Sequence, residues 1–401
     1  MSTPEFPEPE TEAPSVTASA LKERIDAGEQ VTILDTRVPS EFESWQIDGA
    51  SVENVNVPYF DFLVDDIDPE TLAQVPDDRR VTVSCAKGES SRYVAGLLAD
   101  RGYDVEHLED GMNGWARLYE YVELDTAGDT TGDLTVAQYQ RPSSGCLAYL
   151  VVSGDEAAVI DPLRAFADEY VADAKALGAD LRYAVDTHVH ADHVSGVRTL
   201  AEEYGVEAVV PEPALDRGLD YEIAVSTIAD GESLAVGDAE IEALHTPGHT
   251  SGMTSYRVAE FLFTGDGLFT ESVARPDLED GDDGAPDAAR TLYETLQETI
   301  LPLPDETVIA PAHFSDAADR AADGSYTTTL GDLRASMDAL SMDRDEFVEY
   351  VLADMPPRPA NYEDVIATNL GQQTVDDREA FELELGPNNC AASTDAMTSD
   401  D

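Results

Sequence analysis

The sequence predicts an α/β protein of two domains, and three observations support that prediction. The chain of 401 residues exceeds what one ordinary hydrophobic core organises. Its N-terminal part alternates short buried strands with segments of helical periodicity, which is typical of a parallel sheet flanked by helices. The remainder opens with strands close enough in sequence to pair, and it carries a dense group of histidines. We therefore expect two domains of different architecture.

The N-terminal domain is predicted from its alternation of strands and helices. Short apolar runs of strand length are separated by segments whose apolar residues recur at helical spacing. The predicted elements are strands Val31–Asp35, Val81–Ser84 and Val105–Leu108, a helix Ser91–Arg101 and a helix from Gly111 onward. Because parallel strands need crossover connections, this order favours one parallel sheet with helices on its faces.

The second domain is predicted from a longer series of strands. It opens with strands Cys146–Val152 and Ala157–Ile160, which the turn residues SGDE join. The later predicted elements are a helix Ala165–Leu177 and strands Arg182–Val185, Glu207–Val210, Ala239–Leu244, Thr254–Val258, Phe261–Thr264 and Thr307–Ala310. The short acidic run Glu279–Asp287 predicts a solvated loop insertion.

Composition predicts where the domains begin and end. Residues 1–14 are rich in Pro and Glu, and residues 386–401 are small, polar and acidic, so both ends are predicted to be disordered. A stretch rich in Gly, Thr and Asp without apolar periodicity indicates a linker at residues 127–137. These boundaries give a first domain at residues 15–126 and a second at residues 138–372, which ends in helices.

The chain is strongly acidic. It has 23 Lys and Arg against 84 Asp and Glu, for a formal net charge of −61. This charge repels nucleic acids and anionic membranes, so neither is an expected partner. The 42% hydrophobic content favours a folded protein over a disordered interaction scaffold. Lysine occurs only at Lys22, Lys87 and Lys175, which together with the carboxylates indicates a halophilic source whose salt screens the self-repulsion.

Cysteine use and the absence of apolar segments predict a cytoplasmic protein. Three cysteines, Cys85, Cys146 and Cys390, are too few for a disulfide framework. The start of the sequence has neither the basic region nor the apolar run of a signal peptide. No apolar stretch reaches the ~20 residues that cross a bilayer.

The motif THVHADHVSG at residues 187–196 predicts a metal site. Six of the seven histidines in the chain lie in this motif or in the later segments HTPGHTSG and APAHF. The candidate ligands are His188, His190, Asp192, His193, His249, Asp266 and His313. Imidazole and carboxylate groups suit zinc or non-haem iron, and these donors suffice for one or two ions.

Neighbouring residues are expected to shape this site. Gly248 and Gly265 precede ligands at turns, where the missing Cβ allows a sharp backbone path. His245 lies four residues before His249, and we expect an outer or structural role for it. Asp161 ends a predicted strand, where it either orients a ligand imidazole or caps a turn.

The second domain resembles the metallo-β-lactamase superfamily, an αββα sandwich, over about Gln138 to Leu370. The motifs that carry the resemblance are GCLAYLVVSGDEAAVIDP, YAVDTHVHADHVSG, TPGHTSG, FTGDGLF, RPD at residues 275–277 and TLYETLQETILPLPDETVIAPAH. Within the superfamily they are similar to the persulfide dioxygenases. The resemblance implies that His188, His249 and Asp266 hold one Fe(II) per chain. It also implies that Arg275 acts near an anionic substrate, although a surface salt bridge fits that arginine equally well.

The metal count stays open at this point. His190, Asp192, His193 and His313 are also present, and glyoxalase II, a dinuclear zinc thioesterase of the same fold, uses the full set. The segment from Asp332 to Leu370 has no lysine and does not resemble the basic glutathione-binding segment of that enzyme. It ends in MPPRPANYEDVIATNLG, which is similar to dioxygenase-like proteins. One iron is our first expectation, and two zinc ions are the alternative.

Cys85 is the candidate nucleophile of the first domain. It ends a predicted buried strand and precedes a helix. The loop between them is formed by Ala86, Lys87, Gly88, Glu89, Ser90 and Ser91. Amide N–H groups and the positive end of the helix dipole favour a thiolate at such a position, and Lys87 adds a positive charge. Cys146 lies in a predicted strand and Cys390 in the tail, so we expect both to be inert.

The first domain resembles a rhodanese domain across about Ala18 to Leu124. The segments LDTRVPSEFESWQIDGA, the Cys85 loop and LEDGMNGWARL carry this resemblance. It implies that Cys85 carries a sulfane sulfur as a persulfide and that residues 86–91 cradle it. Two departures, Gln46 in place of a histidine and Ser90 where many members have arginine, make thiosulfate a less secure donor than a persulfide.

Together the two resemblances predict a fused enzyme of sulfur metabolism. The second domain would oxidise a low-molecular-weight thiol persulfide with O₂ to sulfite, and the first would transfer sulfane sulfur through Cys85. Thiosulfate and sulfite are further expected small-molecule partners, and a homo-oligomer is an allowed assembly. The alternatives are a glyoxalase-II-like thioester hydrolase with two zinc ions, and a non-catalytic sulfur carrier or sensor that uses Cys85 alone.

Overall fold

The computed structural model divides the chain into two compact units. It describes residues 9–64, 66–125, 134–315, 317–353, 355–386, 388 and 392. The first unit comprises Met1–Tyr119 with Arg141–Ser143, and the second comprises Glu120–Gln140 with Ser144–Asp401. Cys390 lies outside the described residues.

The first unit is built on the predicted parallel sheet. Its strands are β1 (Ser15–Val16), β2 (Val31–Asp35), β3 (Val52–Asn56), β4 (Val81–Ser84) and β5 (Val105–Leu108). They lie in the order β1-β5-β4-β2-β3, and every neighbouring pair is parallel. The three strands predicted in this unit have the predicted bounds, and Val31–Asp35 and Val81–Ser84 are buried at every position.

Helices cover both faces of this sheet. They are α1 (Ala18–Asp26), α2 (Pro39–Ser44), α3 (Pro69–Leu72), α4 (Glu89–Ala99) and α5 (Gly111–Trp115). Ile33 packs with Leu21 and Trp115 on one face, whereas Leu34 packs with Leu98 of α4 on the other. Adjacent residues of one strand therefore enter different cores, as the alternation of strand side chains requires. The predicted α/β architecture of this unit is confirmed.

The N-terminal segment packs on the first unit from residue 9 onward. The amide N–H groups of Glu10 and Thr11 each donate to the carboxylate of Asp100, at 2.8 Å. The side chain of Pro9 lies against Gly96 of α4 so closely that a Cβ there would approach it to 2.6 Å. The prediction of disorder over residues 1–14 is thus wrong for residues 9–14, and residues 1–8 lie outside the described residues.

The second unit contains two sheets. The strands of the first are β6 (Glu120–Glu123), β7 (Leu134–Arg141), β8 (Cys146–Ser153), β9 (Glu156–Ile160), β10 (Asp180–Val185), β11 (Glu207–Pro211) and β12 (Ser226–Ile228). The strands of the second are β13 (Ser233–Val236), β14 (Ala239–His245), β15 (Thr254–Val258), β16 (Phe261–Gly265), β17 (Val308–Pro311) and β18 (Thr328–Thr329). Strands β9 to β12 run parallel, as do β16 and β17.

The two sheets face each other across one hydrophobic core. Tyr149 and Ile160 of the first sheet and Tyr256 and Phe263 of the second are buried in this shared core. Each such side chain contributes roughly 1.5–3 kcal/mol by leaving water. The two sheets form the inner layers of the predicted sandwich.

Helices cover the outer faces of both sheets. They are α6 (Ala167–Ala176), α7 (Val197–Tyr204), α8 (Gly281–Thr295), α9 (Leu330–Ser336), α10 (Arg344–Ala353), α11 (Tyr362–Asn369) and α12 (Asp377–Leu383). Leu292 of α8 and Phe347 of α10 pack with Leu262 and Ile309, which point away from the shared core. The unit is therefore an αββα sandwich, as the resemblance implied. Among the described residues, no helix combines the length and the apolar composition that crossing a bilayer requires.

Two predicted loops differ in the structure. Strand β6 pairs antiparallel with β7, so residues 120–123 and 134–137 belong to the second unit's sheet. A linker was predicted at residues 127–137, of which only residues 134–137 are described, and these form part of strand β7. The acidic run Glu279–Asp287 also enters helix α8. Its carboxylates Asp282 and Asp283 are exposed in the first turn, where the positive end of the helix dipole favours negative charge.

Candidate metal centre and cysteine loop

The predicted metal ligands lie at the carboxyl ends of central strands. Asp161 follows β9, the His188 loop follows β10, Asp266 follows β16 and His313 follows β17. His249 lies in the turn between β14 and β15. Carboxyl ends of neighbouring parallel strands lie at the same edge of a sheet, so the sandwich gathers donors that are far apart in sequence.

His188, His249 and Asp266 form one buried group of donor atoms. The Nε2 atoms of both histidines lie 3.6 Å from Asp266 Oδ2. All three side chains are almost completely buried. These three facing atoms have no hydrogen-bond partner among the described residues. Buried polar atoms without partners are costly, and a metal ion among them would satisfy all three.

Hydrogen bonds orient both imidazoles of this group. The Thr187 hydroxyl donates to Asp161 Oδ2 at 3.0 Å, so its oxygen accepts from His188 Nδ1 at 2.9 Å. His249 Nδ1 lies 3.0 Å from the backbone carbonyl oxygen of Arg275, which can only accept. Each ring therefore carries its proton on Nδ1, and the lone pair of each Nε2 is available to a metal.

Electrostatics also prepare these residues as ligands. Burial lowers the pKa of His188 to about 4, and burial likewise lowers the pKa of His249. Burial alone would raise the pKa of Asp266, but the neighbouring His313 and His188 hold it well below its ordinary value. The group thus presents two neutral imidazoles and one carboxylate, the protonation states that metal ligands require.

The spacing of the three donors fits a metal ion. An ion bound at ~2.1 Å from each donor holds adjacent donors about 3.0–3.6 Å apart, depending on the coordination angle. The two measured separations of 3.6 Å lie at the wide end of this range. A set of two histidines and one carboxylate is typical of non-haem Fe(II) and leaves coordination positions open.

Two glycines allow the backbone to reach the centre. Gly265 has φ 52°, and a Cβ there would approach Thr187 Oγ1 to 2.5 Å. Gly248 has φ 145°, and a Cβ there would meet the backbone of Leu292 in α8 at 2.5 Å. The sharp backbone path predicted at both glycines is confirmed.

His190 is held apart from that group by two carboxylates. Its Nε2 lies 3.1 Å from Asp161 Oδ1 and 3.7 Å from Asp186 Oδ1. Burial opposes its charged form, yet Asp161 raises the pKa of His190 well above its ordinary value. His190 Nδ1 has no hydrogen-bond partner among the described residues. Asp161, at φ 52°, therefore orients an imidazole, which was one of its two predicted roles.

Asp192, His193 and His313 form a second donor group, which also includes Cys146. Asp192 Oδ2 lies 2.8 Å from His193 Nδ1, 2.8 Å from His313 Nε2 and 3.2 Å from Cys146 Sγ. His313 Nδ1 reaches back to Asp266 Oδ1 at 2.7 Å. Two atoms of this group, Asp192 Oδ1 and His193 Nε2, also lack partners among the described residues. In contrast to the first group, its central carboxylate oxygen is already surrounded by hydrogen-bonding groups.

Opposite charges stabilise this second group internally. Burial alone would raise the pKa of Asp192, but His193 and His313 hold it well below its ordinary value. Burial alone would lower the pKa of His193, but Asp192 raises it to about 9. The carboxylate and the imidazolium of His193 therefore neutralise each other without a metal ion.

Sequence reasoning missed three residues of this region. Cys146 was expected to be inert in a strand, but the start of β8 forms a bridge with His313 that brings its thiol into the second group. Asn369 of α11 donates to the carbonyl oxygens of His190 and His193, at 3.0 and 2.8 Å, and so holds the histidine loop. Asn388 contacts the second group directly, so the prediction of disorder over residues 386–401 is wrong at this residue. Motif spacing gives no signal for such contacts.

His245 has the structural role predicted for it. Its Nε2 lies 2.9 Å from the carbonyl oxygen of Ser251, and it belongs to none of the donor groups among the described residues. It therefore stabilises the turn that carries His249.

In the first unit, the Cys85 loop folds around the sulfur atom. The Gly88 amide N–H donates to Cys85 Sγ at 3.1 Å, and the thiol donates to Ser91 Oγ at 3.3 Å. Gly88 has φ 88° and begins helix α4. A Cβ on Gly111 would approach the Cys85 carbonyl oxygen to 2.0 Å, so only glycine allows this close packing. Ala86, Lys87 and Glu89 are exposed, and Ser90 is half-buried.

Comparisons with known proteins agree with this architecture. Residues 142–313 match the Metallo-beta-lactamase superfamily, and residues 17–118 match the Rhodanese-like domain. Human Persulfide dioxygenase ETHE1, mitochondrial, is 30% identical over 261 residues, which cover 63% of this chain and 94% of that protein. The chain belongs to the persulfide dioxygenase family.

Two further relatives bear on the chemistry of this persulfide dioxygenase family member. The crystal structure of ETHE1 from Myxococcus xanthus is 26% identical with a TM-score of 0.51, and the match covers 59% of this chain and 98% of that one. A hydroxyacylglutathione hydrolase of Pectobacterium carotovorum is 37% identical over 128 residues, which cover 32% of this chain and only 45% of that protein. The similarity covers 94% of the human protein and 98% of the Myxococcus xanthus chain, whereas it covers only 45% of the hydrolase.

Arg275 forms a buried ion pair with Asp277. Its buried guanidinium donates to both oxygens of Asp277, at 2.8 and 3.1 Å, and to the carbonyl oxygens of Pro356 and Pro357, at 2.8 and 2.9 Å. The side chain thus forms a structural ion pair, and its action near an anionic substrate stays a prediction. Its carbonyl oxygen orients His249, so in this family member Arg275 acts as a positioning residue.

Proposed function

We propose that the chain oxidises a low-molecular-weight thiol persulfide with O₂ at a mononuclear Fe(II) centre. The balanced reaction is R–S–SH + O₂ + H₂O → R–SH + SO₃²⁻ + 2 H⁺, in which the sulfane sulfur is oxidised and O₂ is reduced. One observation carries the proposal. His188, His249 and Asp266 turn unpartnered donor atoms toward a single point in the core, and membership of the persulfide dioxygenase family supplies the substrate class.

When bound, Fe(II) supplies a centre where O₂ and a sulfur ligand react. The protein supplies the geometry around it. Thr187 and the Arg275 carbonyl fix the tautomers of the two imidazoles, while His313 orients Asp266 through its second oxygen. The surrounding side chains are buried and exclude bulk water, which protects a reactive sulfur species from side reactions.

The first unit is proposed to transfer sulfane sulfur through Cys85. The Cys85 thiolate attacks the sulfane sulfur of a donor persulfide, the donor's S–S bond breaks, and its thiolate leaves and takes up a proton. The Gly88 amide N–H points at the sulfur and stabilises the negative charge of the thiolate. The match of residues 17–118 to the rhodanese-like domain supports this step.

Separate substitutions test the two proposed sites. Asp266→Ala removes one of three metal ligands, so we expect loss of bound iron and of persulfide-dependent O₂ uptake, with sulfur transfer by Cys85 retained. Cys85→Ser is the matched variant and should show the opposite pattern. An oxygen electrode and a cyanide-trapping assay for thiocyanate measure the two activities. Equal loss of both activities in either folded variant would contradict the two-site proposal.

The second candidate function is a dinuclear zinc thioester hydrolase. The observation that favours it is the second donor group of Cys146, Asp192, His193 and His313, which lies beside the first. Two zinc ions per chain would generate a hydroxide for hydrolysis of an acyl thioester. Turnover of such a thioester without O₂ consumption, by a protein that holds two zinc ions, would favour this function over persulfide oxidation.

A further inference from the structure

The side-chain amide of Asn388 lies inside the second donor group. Asn388 Nδ2 is 3.2 Å from Asp192 Oδ2, 3.0 Å from His313 Nε2 and 3.4 Å from Cys146 Sγ. One nitrogen atom therefore contacts a carboxylate, an imidazole and a sulfur atom that could otherwise bind a metal. The first group, formed by His188, His249 and Asp266, shows no such contact among the described residues.

The position of this nitrogen is incompatible with a metal ion in the same group. A zinc ion lies ~2.0–2.3 Å from its imidazole, carboxylate and thiolate ligands. An ion at that distance from Asp192 Oδ2, His313 Nε2 and Cys146 Sγ would overlap the Asn388 amide, which lies 3.0–3.4 Å from the same three atoms. The amide hydrogens carry partial positive charge and face Asp192. A neutral amide therefore lies where a metal cation would otherwise bind.

We propose that Asn388 keeps the centre mononuclear by filling the position that a second metal ion would take. The inference rests on the proposed function, which needs one iron at His188, His249 and Asp266. Asp192, His193 and His313 are retained as a hydrogen-bonded support for Asp266, and the Asn388 amide completes that support. Cys146 would add a thiolate ligand to the second group, and a set of thiolate, imidazole and carboxylate ligands favours zinc. Zinc is therefore the ion that Asn388 is expected to exclude.

Two substitutions at this position change the second group in opposite ways. Asn388→Ala removes the amide and leaves the donors of Cys146, Asp192, His193 and His313 free to converge on an ion. Asn388→Asp keeps the size of the side chain but offers a carboxylate oxygen, which is itself a zinc ligand. We therefore expect both variants to bind a second ion per chain, and the aspartate variant to bind it more tightly. Gln372→Ala is the matched control, since its amide donates to the Gly218 carbonyl outside either donor group.

The experiment measures metal content and ligand type. The iron-loaded full-length chain and each variant are dialysed against zinc or cobalt, and metal per chain is determined by mass spectrometry. Cobalt bound through Cys146 also gives a thiolate-to-cobalt absorption band in the near ultraviolet. We expect one ion and no such band in the native chain and in Gln372→Ala. We expect a second ion and the band in Asn388→Ala and Asn388→Asp, with the band lost on adding Cys146→Ser.

Two results would overturn this inference, and both are separable from failure of the proposed function. A second ion in the native chain, or a single ion in both Asn388 variants, contradicts the role of Asn388. If the native chain shows no persulfide-dependent O₂ uptake, the proposed function fails. The cobalt stoichiometry of the Asn388 variants still decides whether the amide excludes a second ion.

Discussion

Thr187 offers a direct test of how the fold prepares the metal centre. Its hydroxyl accepts from His188 Nδ1 at 2.9 Å and donates to Asp161 Oδ2 at 3.0 Å. Thr187→Val keeps the branched shape and removes only this hydroxyl. Without it, the His188 ring loses the partner that keeps its proton on Nδ1, and the tautomer with a protonated Nε2 cannot bind metal.

The expected loss follows from the effect of removing such partners in other metal sites. Removing one hydrogen-bond partner of a metal-binding side chain lowers metal affinity ~10- to 100-fold, which is about 1.4–2.8 kcal/mol at 25 °C. We expect the same decrease in Fe(II) affinity for Thr187→Val, measured by competition with a chelator under anaerobic conditions. A melting curve of the metal-free variant shows whether the substitution also changes the stability of the fold.

Thr250→Val is the matched control for this experiment. Thr250 is buried next to His249, but its hydroxyl has no hydrogen-bond partner among the described residues. We expect it to change the Fe(II) affinity by less than about threefold, since it removes no bond that orients a ligand. Equal affinities of Thr187→Val and Thr250→Val would refute the argument that the Thr187 hydroxyl fixes the His188 tautomer.

The remaining predictions concern the cysteine loop, the buried ion pair and the acidic surface. Glu89→Gln removes a carboxylate from the first turn of α4 beside Cys85, so kcat/KM for thiosulfate in the thiocyanate assay should rise about two- to fivefold; an unchanged value would mean that Glu89 does not repel the donor. Arg275→Met removes the positive charge that pairs with Asp277 and should lower the free energy of unfolding by about 3–5 kcal/mol in denaturant titrations, and a loss under ~1 kcal/mol would contradict the structural role. Burial alone would raise the pKa of Asp277, but Arg275 and Arg358 hold it below its ordinary value. The contribution of Asp277 to the free energy of unfolding is therefore fully present above about pH 3.9, and it is lost as the pH falls through the lower pKa of the folded state. Asp277→Asn should flatten that part of the acid unfolding curve. Raising KCl from ~0.1 to ~1 M shortens the screening length from about 10 to about 3 Å, so the melting temperature should rise with salt, whereas a flat profile would contradict a halophilic adaptation.

The strands were predictable from sequence because burial of a parallel strand requires a nearly continuous apolar run. Val31–Asp35 and Val81–Ser84 have the predicted bounds and are buried at every position. Helix α8 was missed because Asp282 and Asp283 are solvated there as they would be in a loop. Acidic residues are favoured both in solvated loops and in the first turn of a helix, where the helix dipole is positive. Composition alone therefore does not distinguish a loop from a helix N-terminus.

The candidate metal ligands were predictable because each follows a strand within a compact motif. The contacts that decide what the donors do were not, since they join distant parts of the chain. Cys146 and Asp192 are 46 residues apart, and Asn388 lies 196 residues from Asp192. The ion pair of Arg275 was hidden for a related reason: the sequence shows a positive charge near a predicted ligand, but it does not show that Asp277 is its partner.

The most direct test of the central claim is metal analysis of the anaerobically purified full-length chain, followed by O₂ uptake on addition of a thiol persulfide. We predict one iron per chain and one O₂ consumed for each sulfite formed. Two zinc ions per chain, with hydrolysis of an acyl thioester and no persulfide-dependent O₂ consumption, would contradict the account.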